Sequence, residues 1–398
     1  MTSTRDSPLP AFDIAIVGGG LVGLSLARAL EGSGLEVALV DRVPADLAEV
    51  QADAFDVRVY AISPGSEAFL RKCGSWPAET GGRAAHVLKM KVFGDATGSR
   101  IGFSAHEAHV PHLATIVENR LLMQALWRRI QTQVGLTVFA GARCTSVSWD
   151  RDAAELVLDD GRRLRAKLMV AADGADSWLR GQAGIATQTI PYGQTAVVAN
   201  FACEQPHQGT AFQWFTRHGV LALLPLPGNR TSMVWSIDTS LAENLASMTP
   251  AQLCAHVVEA TGSVVGALEL ISPPAAFPLR LIKVNRMAAH RIALVGDAAH
   301  NVHPLAGQGV NLGFQDAREL ADVLHDRGAC ADVGEHRLLR RYERARREDV
   351  LAMTLITDGL QRLFASDRAS LSWVRNRGLS LLEHAAPLKN LLARHALG

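Results

Sequence analysis

Between a short apolar run, Phe12-Asp13-Ile14-Ala15-Ile16-Val17, and a second one over Leu24 to Leu30 stands Gly18-Gly19-Gly20-Leu21-Val22-Gly23. The first run has the length of a strand and the second reads as a helix, so the glycines occupy a strand-to-helix turn. Gly18 permits the tight reversal, Gly20 lets a ligand approach the backbone, and Gly23 lets the helix pack closely on the strand. A further strand, Val37 to Val40, ends in Asp41, an acid where a ribose would be held. The combination predicts an α/β fold, a Rossmann-like sheet that binds an adenine dinucleotide with its pyrophosphate on the amides at the helix start.

Toward the other end, the apolar run Ile292 to Val295 drops into Gly296-Asp297-Ala298-Ala299-His300. Then follows His303-Pro304-Leu305-Ala306-Gly307-Gln308-Gly309-Val310-Asn311-Leu312-Gly313-Phe314-Gln315-Asp316, whose apolar residues from Val310 onward are closer to helical than strand spacing. That is strand, glycine-rich loop and helix start. Glycines let backbone lie against a flat ligand, and the free N–H groups of a helix start favour negative charge. Such a loop suits an electron-rich ring that becomes anionic on reduction. Between these two regions, Leu168 to Ala172 closes on Asp173-Gly174-Ala175-Asp176-Ser177-Trp178-Leu179-Arg180. Alone, an Asp-Gly pair is most often a turn.

Together and in this order, the three elements resemble the single-component flavin aromatic hydroxylases. The run from His303 to Asp316 is similar to the signature of one branch of that class, the ubiquinone-biosynthesis hydroxylases. The resemblance covers roughly residues 11 to 350 and includes Asp56 to Ser63, Val117 to Leu121 and Leu338 to Arg347. It implies FAD as cofactor and NAD(P)H as transient co-substrate. It further implies O2 carried as a flavin C4a-hydroperoxide to the ring of a polyprenylated phenol or benzoquinol. The same chemistry on a non-prenylated aromatic or polyketide substrate, and a non-catalytic flavin-binding assembly subunit, stay open as alternatives.

The resemblance also carries roles. Gly18, Gly20, Gly23 and Asp41 would hold the adenosine half of FAD, and Gly296 and Asp297 the ribityl chain, with Arg58 and Arg120 nearby. The chain has one G-x-G-x-x-G, so Asp173, Gly174 and Arg180 would serve both the flavin and transient docking of the nicotinamide. Gly307, Gly309, Val310 and Asn311 would lie against the ring, their amides stabilising charge on the reduced flavin. His303, Pro304 and Gln308 are the candidate catalytic residues of that loop, and His218 and Tyr192 candidate bases elsewhere. His300 and His303 have a spacing that could place two imidazoles together, but no H-E-x-x-H accompanies them. They are read as structural imidazoles hydrogen-bonded to loop backbone, and no metal is expected.

At 398 residues the chain exceeds one typical domain. From about Ala186 to Pro278 strand-like runs take over: Thr195 to Phe201, Gly219 to Leu226 and Thr231 to Ile237. Val87 to Phe93 and Arg100 to Phe103 are expected to join them. The expected division is an FAD-binding domain over 11–85, 112–185 and 279–335, an inserted antiparallel β-sheet substrate domain over 86–111 and 186–278, and C-terminal helices over 336–398. Phe212, Trp214, Phe215, Leu221, Leu223 and Pro225 are candidates to line the substrate pocket, about half of them facing the core instead.

Lysines and arginines number 40 against 39 acids, so no strong field points to nucleic acid, and small molecules are the expected partners. Five scattered cysteines without a C-x-x-C fit a reducing cytoplasm. Arg340, Arg341, Arg344, Arg346 and Arg347, mixed with acids, read as a solvated helix face. The leucines between Leu371 and Leu397 suggest helices packed on the core, with peripheral contact to the inner membrane, a homo-oligomer or a biosynthetic complex as further readings.

Overall fold

The computed structural model describes residues 9–43, 55–77, 82–94, 99–216, 219–303, 307–328 and 331–365. Pro304, His218 and the leucines of 371–397 lie outside the described residues. Strand Ala11–Val17 pairs in parallel with Val37–Asp41 on one side and Arg163–Ala171 on the other. Arg163–Ala171 pairs in parallel with Ile292–Leu294, and Leu136–Ala140 extends the sheet beyond Val37–Asp41. The central strands are buried on both faces, as a parallel sheet covered by helices must be. The helices, in chain order, are α1 (Leu21–Ala29), α2 (Pro64–Lys72), α3 (Asn119–Ile130), α4 (Trp178–Gln182), α5 (Thr239–Ser247), α6 (Pro250–Thr261), α7 (Gln308–His325) and α8 (His336–Ala365). Leu24, Leu26, Phe314, Leu320 and Tyr342 of α1, α7 and α8 join the core of this sheet.

The second sheet is built on the long strand Thr187–Cys203, flanked by Ala275–Val284 and Arg230–Asp238. Gly219–Leu226, Thr210–Thr216, Lys89–Phe93 and Arg100–Ser104 follow outward. The expected run Val87 to Phe93 is therefore two strands. Leu88 donates to the Gly209 carbonyl (2.8 Å), while Ala85–Val87 turns away to pair with Ala114–Glu118 in a small three-stranded sheet.

One face of the second sheet packs on α5 and α6, which the strand pattern did not foretell. The start of α6 is marked by a reciprocal cap. Gln252 N–H donates to Thr249 Oγ1 (3.4 Å), Thr249 N–H donates to Gln252 Oε1 (3.0 Å), and Pro250 opens the helix. The core beneath contains Phe212, Leu221, Leu223, Met233 and Trp235 against Leu245, Leu253 and Val257, with Trp214 partly buried at its margin. Four of the six proposed pocket residues, Phe212, Trp214, Leu221 and Leu223, thus belong to the helix-packed face. Phe215 lies in a separate cluster with Val92, Ile101 and Val220.

Candidate active site

The three motifs leave the same edge of the parallel sheet side by side. Val17 pairs with Ala171 and with Val40, and Ala171 pairs with Leu294. The glycine loop, the Asp173-Gly174 box and the Gly296-Asp297 box therefore follow the C-terminal ends of three adjacent strands, where open α/β sheets bind ligands. Gly18 has φ +114°, and a β-carbon there would stand 2.2 Å from the Ala172 carbonyl oxygen. A β-carbon on Gly23 would stand 1.9 Å from the carbonyl oxygen of Gly18. Nothing lies within 4 Å of the corresponding position on Gly20, which is exposed at the N-cap of α1. Asp41 closes the adjoining strand, and its carboxylate accepts from the amides of Gly19 and Val43.

In the Asp-Gly box, Leu179 N–H donates to Asp173 Oδ2 (3.0 Å), while Oδ1 is buried with no partner among the described residues. Gly174 takes φ +87°. Arg180, 8% exposed, donates to the carbonyls of Ala298 (2.9 Å) and Ala175 (3.0 Å). It ties this box to the Gly-Asp box, and burial lowers its pKa. Arg280 pairs with Asp176 at 2.6 Å and brings the second sheet to the same place.

Asp297 is open to water, yet protein surrounds it closely enough to desolvate its carboxyl. Desolvation raises its pKa against the pull of His300, Asn301, Arg280 and Arg58. An acid both reachable and costly to charge suits a ligand with hydroxyl donors. The Arg58 guanidinium lies 4.9 Å from the centre of the Phe277 ring. Arg120 stands 3.9 Å from Asp56, whose amide donates to Glu118 Oε2 (2.6 Å).

Gly307, at φ +66°, is the N-cap of α7. Gln308, Gly309, Val310 and Asn311 form the first turn, and Gly309 has open space where a side chain would be. Asn311 is fully committed to the fold. Its Oδ1 accepts from Ser63 N–H (3.0 Å), and its Nδ2 donates to the carbonyls of Ala61 (2.9 Å) and Gly307 (3.3 Å). Its side chain therefore pins the helix start, leaving the backbone amides of the turn for a ligand.

Among the described residues the two histidines meet side chains, where the sequence suggested loop backbone. His300 Nε2 lies 2.7 Å from Asp316 Oδ2, and His303 Nε2 lies 3.1 Å from Gln194 Oε1. Gln194 and Asp316 arrive through the tertiary fold. The His303 ring also meets Tyr192 edge-on, with centres 5.1 Å apart. Arg346, read as part of a solvated face, is instead buried against Asp316 (2.8 Å). Gln194, Arg280, Asp316 and Arg346 were the residues missed. Only Asp316 had a signal, as the last residue of the glycine-rich run.

Open backbone at Gly20 and Gly309, the unpartnered Asp173 Oδ1 and the desolvated Asp297 fit the pyrophosphate, ring and hydroxyls of FAD. A Rossmann-like sheet with these boxes, joined to a second sheet that is antiparallel except where Thr210–Thr216 runs parallel to Lys89–Phe93, defines a flavin-dependent oxidoreductase. The chain belongs to the FAD binding domain family, whose match spans residues 11–355, and within it to the ubiquinone-biosynthesis hydroxylases. It is 38% identical to the ubiquinone hydroxylase UbiL of Rhodospirillum rubrum over 387 residues, 97% of this chain and 89% of that protein. The 3-demethoxyubiquinol 3-hydroxylase of Escherichia coli is 35% identical, with 97% of this chain and 98% of that one covered. Among solved structures, PqsL of Pseudomonas aeruginosa in complex with 2-aminobenzoylacetate superposes with a TM-score of 0.75. It is 25% identical, with 92% of this chain and 99% of that one covered.

Proposed function

We propose that this chain is an FAD-dependent monooxygenase that hydroxylates the ring of a polyprenylated phenol or benzoquinol in ubiquinone biosynthesis, using NAD(P)H and O2. The observation that carries the reading is the meeting of Gly18, Asp173 and Asp297 at one sheet edge, beside a helix start fixed by Asn311. End-to-end similarity to two ubiquinone-pathway hydroxylases supports the substrate class.

Bound FAD supplies hydride acceptance and activation of dioxygen. The chain's own residues bind and orient it. Amides of the Gly18–Gly23 loop take the pyrophosphate, Asp41 the adenosine ribose, and Asp297 and Asp173 accept from ribityl hydroxyls. The first-turn amides of α7, from Gln308 to Asn311, favour negative charge that develops on the ring. Arg180 keeps the two acidic boxes in register, and with Asp173 and Gly174 serves transient docking of the nicotinamide. Arg58 and Arg120 flank the ribityl region. His303, held neutral by burial, keeps a proton on Nε2 toward Gln194 and a lone pair on Nδ1. His303 and Gln308 are the candidate residues at the reacting side.

The test is oxygen and NAD(P)H consumption by the purified flavoprotein with and without a short-chain prenylphenol, followed by mass analysis. A product heavier by one oxygen upholds the reading. Stimulated NAD(P)H oxidation that yields only peroxide rejects the prenylated phenol as substrate.

A further inference from the structure

Behind the Gly296–Asp297 turn lies a charged cluster that none of these roles uses. Asp316, on the inner face of α7, is fully buried. Its Oδ2 accepts from the Gly296 amide (2.9 Å) and from His300 Nε2 (2.7 Å), and its Oδ1 from Arg346 Nε (2.8 Å). Arg346 reaches on to Gln315 Oε1 (3.1 Å) and to Asp349 (2.7 Å), which is half exposed. On the same helix, Tyr342 donates to the Leu294 carbonyl (2.7 Å), and Glu343 accepts from the Met287 amide (2.7 Å). Helix α8 is thus fastened to the last parallel strand and, through Asp316, to the turn that follows it.

A buried carboxylate must have its charge met by well-placed donors, and removing one member leaves the rest uncompensated. Here the donors are the backbone of the cofactor turn, the His300 imidazole and the Arg346 guanidinium. Burial opposes a charge on His300, but the Asp316 carboxylate outweighs it and raises the imidazole's pKa. Gly296 takes φ +60° between Asp316 on one side and Val22 on the other, so the turn has little room to move.

We propose that Asp316 is a positioning residue for the flavin. By holding Gly296, His300 and Arg346 together it fixes the turn that presents Asp297, and it makes cofactor affinity depend on the seating of α8. A protonated His300 adds positive charge to this cluster beside that of Arg346, which favours the reduced, anionic flavin. The inference rests on the flavin-binding part of the function above and not on the aromatic substrate.

The test uses the full chain, stripped of flavin and titrated with FAD, with the two-electron midpoint potential measured on the loaded protein. Asp316→Asn is compared with Asp332→Asn, which breaks the ion pair to Arg291 at the start of the same last strand, away from the turn. D316N is expected to weaken FAD at least tenfold, while D332N, at a similar loss of melting temperature, binds as the wild type does. His300→Gln keeps a donor toward Asp316 and drops the charge. It should retain FAD while the midpoint falls, by about 30 mV for each tenfold change in the relative affinity of oxidised and reduced flavin. Should D316N not accumulate as folded protein, H300Q carries the test. D316N binding FAD no worse than D332N, or H300Q leaving the potential unmoved, overturns the proposal. Absence of hydroxylation on prenylphenols leaves these readouts untouched and bears only on the substrate.

Discussion

His303 Nε2 stands 3.1 Å from the side-chain oxygen of Gln194, although 109 residues separate them in the chain. With Gln194 as acceptor, Nε2 carries the proton and Nδ1 the lone pair. Nδ1 has no partner among the described residues, and His303 is 1% exposed.

Burial pushes the His303 pKa down to about 4, whereas in the unfolded chain it is about 6.5. Below pH 6.5 the unfolded state takes up a proton that the folded state refuses, so stability falls as the pH is lowered from about 6.5 toward 4. The melting temperature of His303→Gln should fall less than that of the wild type across this window. Parallel curves would mean that His303 titrates normally.

Val22 of the glycine loop is wedged against α7. A β-carbon on Gly313 would stand 2.5 Å from Val22 Cγ2, and one on Gly296 would stand 3.1 Å from it. Gly313→Ala should cost about 1 to 3 kcal/mol by overpacking and weaken FAD. Adding Val22→Ala should recover part of the loss, and a double-mutant cycle by urea denaturation measures the coupling. Strict additivity would contradict the wedge.

Arg180 spends its guanidinium on two backbone carbonyls. Arg180→Ala leaves the Ala298 and Ala175 oxygens short of donors, at about 1 to 3 kcal/mol for each group that stays dry. Flavin content should fall at least as steeply as NAD(P)H oxidation per bound flavin. Full flavin content with lost nicotinamide use would show instead that docking is its main role.

Asn311→Asp keeps the shape and the acceptor for Ser63 but removes the donor to Ala61. A stability loss of about 1 to 3 kcal/mol is expected, with FAD bound more weakly as the helix start loosens. Titration of the flavin-free variant with FAD measures it. An unchanged dissociation constant would remove Asn311 from the site's support.

Much of this was legible where chemistry and backbone conformation are local. The strand-turn-helix at Gly18, the acid at Asp41 and the boxes at Asp173 and Asp297 depend on short segments whose residue types are dictated by the turn itself. The strand Gly219–Leu226 has the bounds that its apolar run implies. What escaped notice depends on side chains meeting across the fold. Phe212 and Leu221 looked like pocket residues because alternation along a strand separates two faces without saying which one meets helices. Arg346 looked solvated because its partner Asp316 is on another helix. The capping box at Thr249 was local and readable, yet the surrounding strand pattern hid it.

The adjacency of strands Ala11–Val17, Arg163–Ala171 and Ile292–Leu294 has a consequence for how the protein comes into being. Its first nucleotide-binding loop emerges from the ribosome long before its neighbours. The middle partner follows some 150 residues later, and the outer one about 280 residues after the first. Contacts of such long sequence separation form late. A complete flavin edge therefore needs strands from both early and late parts of the polypeptide in place together.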